Sequence, residues 1–504
     1  MANSLASYTS ENRGRVLLLF LLFLLAIYEF VTAGLPRFAI VCILPFLVLA
    51  VYVAFKWRMA TFWTLIAINY LIQMKDFPLP VPMSLPNEML QLILLAIAVI
   101  DARQTPHFER SANLMLIALG VWCGFCTLEL LNDTCNLGIN VAAWYQGARL
   151  MAFQLLYIFL VFTIYVSSPE ILMRYIRVWA VLSLFSVYWV WKQQNLGFTP
   201  AEKVWMETRG RATHILNAGT LIRYFSTFSD AANYGCNAAA TTVAFILFGI
   251  TSKIKFDRIF FLLTGVLVFY GMFASGTRTA IFCVAAGFIV YIFLSKSVRI
   301  AVPFTIVFAI AAFLLVFTDI GNGNQQIRRM RSAFNKDDAS ANVRDINKEA
   351  IRKYIRDAPW GIGLGMGYNV PANNKYNKLA TIPPDSEYVY IWIRTGKIGM
   401  TVFVITTLVM FLGACSIVFF RLRSRSLMGI GAGFCCAFVS IQLGGYANQV
   451  LMQFPNALIF YGGLSIVYVL PFIEPEWIKY EERRFAEQEE RKRKRLEKKL
   501  ASRV

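Results

Sequence analysis

RIFFLLTGVLVFYGMFASGTRTAIFCVAAGFIVYIFLSKSVR, residues 258–299, holds two apolar runs separated by one short polar turn. Each run is about long enough to cross a bilayer, which takes roughly 20 residues as a helix. Arg258 precedes the first run, and Lys296 and Arg299 follow the second. Short basic loops stay on the cytoplasmic side, so the turn Ser275-Gly276-Thr277-Arg278 is expected on the other side. Its small residues allow two segments to approach closely. Arg278 falls at the outer interface, where an arginine either snorkels to headgroups or points inward as a functional group.

The same alternation runs through the whole 504-residue chain. About 14 apolar stretches (about 12–14) read as spans. Their approximate limits are 16–34, 38–55, 59–74, 88–100, 112–131, 148–166, 172–191, 235–251, 258–274, 279–295, 299–318, 399–420, 427–444 and 456–472. With a cytoplasmic N-terminus, the clusters at Arg13, Lys56, Arg110, Arg177, Lys253, Lys296 and Arg423 all fall inside, and so does the C-terminus. The residues are 58% apolar and 15% charged, which fits one polytopic membrane chain better than a set of soluble domains. The net charge of +20 sits in membrane-flanking loops and the tail, which argues against a nucleic-acid partner. The expected architecture is all-α: a polytopic transmembrane helical bundle over 1–473, with outer loops at about 192–234 and 319–398. The larger loop is expected to be helical and extracytoplasmic. A charged, helical cytoplasmic tail follows at 474–504, and its RKRKRLEKK at 491–499 suits anionic lipid headgroups.

The nine cysteines are mostly inside apolar spans. Cys123 and Cys126 form a C-x-x-C that reads as packing rather than redox chemistry. Two histidines, His107 and His214, and no cluster with zinc-ligand spacing give no reason to expect a metal or a cofactor. Arginine on the translocated side is more informative. Arg209, Arg211, Arg223, Arg344, Arg352 and Arg394 lie in the outer loops, and Arg149 and Arg278 lie at outer helix ends. Basic residues there serve no topological purpose, so each is a candidate ligand for an anion.

Three more outer motifs join SGTR. RYFSTFSDAANYG at 223–235 places Arg223, Asp230 and Asn233 at a helix start, where Asp230 also reads as an N-cap. RDAPWGIGLGMGYN at 356–369 is glycine-rich but lacks the Lys-Ser/Thr of a nucleotide loop, so it reads as a tight backbone turn. PPDSEYVYIWIRTGKIGM at 383–400 caps an interfacial helix with Asp385 or Ser386, and makes Asp385 or Glu387 a candidate general base with Tyr388 beside them.

In this order, the four motifs resemble the O-antigen ligase/polymerase superfamily, integral-membrane glycosyltransferases of bacterial surface polysaccharides. The matching elements are Arg223, Phe228 and Asn233 before a helix, the SGTR turn, and Arg344 followed by DAPWGIGLG at 357–365. DSEYVY and GKIG then stand where the family has H-N-x-Y-L and G-hydrophobic-x-G. The likeness covers about 215–415. Ligases of the family carry His where this chain has Asp385, which inclines the resemblance toward the polymerase-like branch.

The resemblance implies a multi-pass enzyme of the bacterial cytoplasmic membrane. Its donor would be an undecaprenyl-diphosphate-linked glycan, and its acceptor a second glycan. Arg278 and Arg223, with Arg149 and Arg344 behind them, would meet the leaving diphosphate without a metal. Asp385 or Glu387 would take the acceptor proton, and attack at the anomeric carbon would invert it. Membrane lipid is a second partner class, and a chain-length regulator a candidate third. Polymerase, ligase and protein glycosyltransferase remain open. A lipid-linked glycan flippase or other transporter is the main rival, though no internal repeat of the transporter kind is evident.

Overall fold

The structure, a computed structural model, describes residues 13–76, 84–101, 108–216, 221–296, 318–323, 325–332, 339–366 and 369–501, with single residues between 302 and 317. Most of the expected span at 299–318 lies outside that set, and so do His107 and Gly367 of the glycine run. The chain divides into two compact units, Met1–Thr64 and Leu65–Val504. In the first, α1 (Arg13–Ala33) packs on α2 (Leu35–Lys56), and α3 (Arg58–Leu71) begins.

The second unit is helical throughout, apart from one two-stranded hairpin among the described residues. It continues through α4 (Ser84–Ile100), α5 (Leu114–Leu128) and α6 (Val141–Ala148), which runs through a π turn at Arg149–Phe153 into α7 (Gln154–Tyr165). Next come α8 (Pro169–Asn195), α9 (Pro200–Trp205), α10 (Arg211–His214) and the hairpin of β1 (Ile215–Leu216) with β2 (Leu221–Ile222). The chain goes on through α11 (Ala231–Thr251), α12 (Lys255–Ala274), α13 (Thr279–Leu294), α14 (Gln325–Arg331), α15 (Ala339–Ile355) and α16 (Asn377–Thr381). It ends with α17 (Glu387–Ser416), α18 (Arg425–Ala447) and α19 (Gly462–Ala501).

Eight of the described helical stretches are long and apolar enough to cross a membrane, and three shorter apolar helices accompany them. The fold is therefore the all-α, polytopic helical arrangement that the hydropathy implies. Two spans begin earlier than their apolar runs: the sixth at Val141 and the twelfth at Glu387. In both, a half-polar turn leads into the apolar helix, through a π turn at Arg149–Phe153 in one and a kink at Gly396 in the other, and a hydropathy reading does not register it. The last span likewise passes without a break into the charged tail as α19.

The centre of the second unit is α11, packed on α12, α13 and α18. Its sequence, AANYGCNAAATTVAFILFGIT, is rich in small residues, and nearly every position is buried. Small residues let membrane helices approach until backbones nearly touch. A Cβ at Gly235 would lie 2.4 Å from Ser275 Oγ, and one at Gly287 would lie 2.5 Å from Ser440 Oγ. The result draws the SGTR turn onto the start of α11, and α13 onto α18.

At the far end of α11, ion pairs fasten the connections. Arg177 holds Asp257 at 2.8 Å, Lys253 holds Glu481 at 2.8 Å, and Arg483 holds Glu170 at 2.8 Å. Glu474 accepts from the Arg423 and Ser424 amides, both at 2.7 Å. The first part of the tail is thus docked against the bundle end.

Candidate active site

The turn between α12 and α13 is held open by Gly276 at φ +59°, a left-handed conformation that suits glycine. Two guanidiniums from other segments, Arg223 and Arg329, donate to its groups, and Arg278 of the turn itself donates outward to Ser332. Arg223 leaves β2 and donates to Ser275 O (3.3 Å), to Thr277 Oγ1 (3.1 Å) and back to Thr213 O (3.0 Å). Arg278, within the turn, donates to Ser332 Oγ (3.2 Å). Arg329 on α14 donates through Nε to Gly276 O (2.7 Å), while Ser332 Oγ donates to Arg329 O (2.8 Å). The sequence reading brought Arg223 and Arg278 forward and missed Arg329. The signal was present: QQIRRMR sits in the outer loop, where basic residues have no topological role.

Asp230 and Asn233 belong to the start of α11. Asp230 Oδ1 accepts from the Ala232 and Asn233 amides at 2.7 and 2.9 Å, an N-cap. Asn233 is fully buried. Its Nδ2 donates to Ser229 Oγ (2.9 Å) and Phe454 O (3.0 Å), and its Oδ1 accepts from Asn456 Nδ2 (2.7 Å). Asn456 in turn accepts from Asn237 (2.8 Å). These side chains bolt α11 to the 448–456 loop.

His214 joins the same helix start. Its Nε2 accepts from the Ala231 amide at 3.0 Å, so that nitrogen carries no proton in this arrangement. Burial, with Arg223 nearby as the second cause, pushes the imidazole down to about 4, in keeping with a neutral ring. Lys75 lies below, donating to Phe228 O and Ser229 O, with its ammonium 4.5 Å from the Trp205 ring centre. Burial pushes its ammonium down to about 8, against the attraction of Asp230 and Glu202.

Asp385 and Glu387 open α17 but occupy different surroundings. Asp385 is partly exposed and accepts from Asn347 Nδ2 of α15 at 2.9 Å. It lines a cavity of about 160 Å³ with Asp345, Lys348, Pro383 and Tyr446. Glu387 is buried and accepts from the Leu451 amide at 3.0 Å. Tyr388 donates to Gln442 Oε1 at 2.9 Å.

The C-terminal end of α18 joins the carboxylate to the arginines. Ser386 Oγ, next to Asp385, donates to Gly445 O (3.1 Å). Three residues on, Asn448 Nδ2 donates to Thr279 Oγ1 (3.4 Å), next to Arg278. The arginine turn and the Asp385 cavity therefore flank one short piece of chain, residues 445–448.

The other predicted residues lie elsewhere. Arg149 sits in the π turn, paired with Glu88 (3.2 Å) and donating to Ser84 Oγ (3.0 Å). Arg344 falls on α15, and its side chain lies outside the described residues. The glycine run is a tight turn wedged between two helices. The Ile362 and Gly363 amides donate to Ile393 O (2.9 Å) and Arg394 O (3.0 Å). At Gly396, φ is +64°, and a Cβ there would lie 1.9 Å from Pro359 O. One at Gly365 would lie 1.7 Å from Ala143 O.

Residues 260–404 match the family model described as O-Antigen ligase. The match contains the SGTR turn, the glycine run and the Asp385 segment, and it supports the O-antigen ligase/polymerase superfamily. Together with the apolar helices, it supports a multi-pass inner-membrane protein that transfers glycan in the general manner of that family. No curated protein matches the chain.

Proposed function

We propose that this protein is a glycosyltransferase acting at the outer face of the inner membrane, joining undecaprenyl-diphosphate-linked repeat units. Residues 1–473 are the catalytic bundle, with both termini and the 474–504 tail in the cytoplasm. The observation that carries the reading is the placement of three guanidiniums and one partly exposed carboxylate on either side of residues 445–448.

Arg223, Arg278 and Arg329 receive the departing lipid diphosphate. Donors aimed at developing phosphate charge stabilise the transition state more than the ground state. The hydroxyl oxygen of the acceptor sugar attacks the anomeric carbon of the donor from the face opposite the diphosphate. The bond from that carbon to the diphosphate oxygen breaks, and its electron pair leaves with the carrier. The hydroxyl proton passes to Asp385, and the anomeric centre inverts. Asn347 orients Asp385 for that transfer. Guanidiniums supply the positive charge that a metal supplies in other phosphoryl-leaving reactions. Glu387, Asp230 and Asn233 hold the scaffold rather than the substrate.

The test is incubation of the purified protein with a lipid-linked repeat unit. A ladder of products one repeat apart is the expected result. Recovery of unchanged repeat units, with transport of them across a vesicle membrane instead, makes the protein a flippase and ends this reading.

A further inference from the structure

A cavity of about 300 Å³ opens between the start of α5, the end of α17 and the middle of the apolar part of α19. It lies far from residues 445–448: α18, which joins the two regions, has 23 residues and is therefore about 34 Å long. The charged residues that line it are two arginines, Arg110 and Arg421. The neutral polar groups of the lining are engaged. Asn113 Oδ1 accepts from the Met115 and Leu116 amides at 2.9 and 3.4 Å, and its Nδ2 donates to Arg110 O at 2.9 Å. Ser416 Oγ donates to Gly413 O, and Tyr468 Oη to Met410 O, both at 2.7 Å.

The guanidiniums are not engaged in the same way. Arg110 Nη1 donates to Ser167 O at 3.0 Å, but its Nε is buried without a partner. Arg421 is exposed at the close of the π turn Ile417–Arg421. Neither arginine forms an ion pair among the described residues; Glu109 and Glu476 are the carboxylates whose charge reaches Arg110. The rim is apolar. Leu114 and Phe472 line the cavity at 44% and 51% exposure, and Phe420, next to Arg421, is 80% exposed.

A buried guanidinium nitrogen without an acceptor costs free energy that an oxyanion removes. One arginine at a helix end snorkels to any headgroup. Two arginines from separate segments, facing one cavity, favour a head with net negative charge, as basic pockets between spans do. We propose that this cavity seats one anionic glycerophospholipid. Its phosphate lies between Arg110 and Arg421, and its acyl chains cover Leu114, Phe420 and Phe472. A free phosphate supplies the same charge but leaves that apolar rim bare, so the occupant is the lipid. The bound head ties the start of α5 to the end of α17, the helix that opens beside Asp385.

The probe is dioleoyl phosphatidylglycerol, mixed with an equal amount of dioleoyl phosphatidylcholine and added to the delipidated full-length protein in detergent. Native mass spectrometry counts the retained lipid. Preferential retention of one phosphatidylglycerol is expected. Its half-saturating concentration should rise about ten-fold in Arg421→Gln, the size of one lost charge-assisted contact. Arg421 is exposed, so this variant keeps the fold; Arg110→Gln should act in the same direction. Retention should be untouched in Lys492→Gln/Arg493→Gln/Lys494→Gln, which neutralises part of the basic tail. Equal retention of phosphatidylcholine overturns the proposal, and so does loss in the tail variant with none in Arg421→Gln. Displacement by glycerol 3-phosphate as effective as by the lipid marks a free-anion site and overturns the lipid assignment. The readout is binding, so it stands or falls independently of the ladder assay.

Discussion

Two polar regions lie close together at one end of this bundle, and they differ in access. Around Asp385 the polar groups face a cavity, with Asn347 as the carboxylate's described partner. Around Asn233 the groups are sealed: Gln73, Ser229, Asn456 and the Phe454 carbonyl consume the hydrogen-bonding capacity of the asparagine, and no side-chain surface remains. Glu387, two residues from Asp385, falls with the sealed set because its carboxylate receives the Leu451 amide. A polar residue at membrane depth is a candidate for function, but the same cost of burial also makes it a strong fastener. Access to a cavity separates the two roles where residue type does not.

The sharpest way to break the comparison is to neutralise each carboxylate. Asp385→Asn should lower the polymerisation rate by roughly 10²–10⁴-fold, the span usual for a lost general base, with protein yield unchanged. Glu387→Gln keeps an oxygen for Leu451 and should stay within a few-fold of wild type. A reversed order in the ladder assay exchanges the two assignments.

Removing the leaving-group contacts comes next. Arg278→Ala should cost about 10²–10³-fold in turnover, and Arg278→Lys should recover little of it if the contact is bidentate. Arg329→Ala should reduce turnover less than Arg278→Ala, measured at saturating donor. Full activity in Arg329→Ala removes it from the site and leaves a two-arginine seat.

The sealed region should respond in stability rather than rate. Asn233→Leu takes the side-chain donor from the Phe454 carbonyl and one acceptor from Asn456, which keeps Asn237 and Val450 O, at about 1–3 kcal/mol for a buried unsatisfied group. The melting temperature in detergent should fall, while activity per folded molecule holds. Unchanged melting with lost activity moves Asn233 to the substrate side.

The smallest effect is on pH. The His214 imidazole is held near 4 in the fold against an ordinary 6.5. The unfolded chain therefore binds a proton that the folded one refuses as pH falls below 6.5, so stability is complete above that value and declines toward 4. Melting curves of His214→Gln should be flatter than wild type across this window. A parallel decline in both proteins assigns the acid sensitivity to other groups.

Hydropathy and loop charge were enough to place most helices, because apolar length and basic flanks are local properties of the chain. The interfacial starts at Val141 and Glu387 escaped, since half-polar turns carry no apolar signal. SGTR and Asp385 could be read because each sits in a compact motif. Asn347 could not: it meets Asp385 across 38 positions of chain, and nothing near it announces the partnership. Arg329 was legible by the rule that exposed Arg223, but its run of neighbouring arginines spread the signal. The sealing of Asn233 depends on Asn456, more than 200 residues away.

The start of α11 carries a last consequence. A helix begins with a positive pole and unsatisfied amides, a ready cradle for phosphate. Here that pole lies next to the arginine turn, yet His214 and Asp230 already occupy the Ala231, Ala232 and Asn233 amides. Those backbone donors are spoken for within the fold. Any oxyanion arriving beside them must be met by side chains, which bend and re-aim as charge shifts from bond to leaving group, as fixed amides do not.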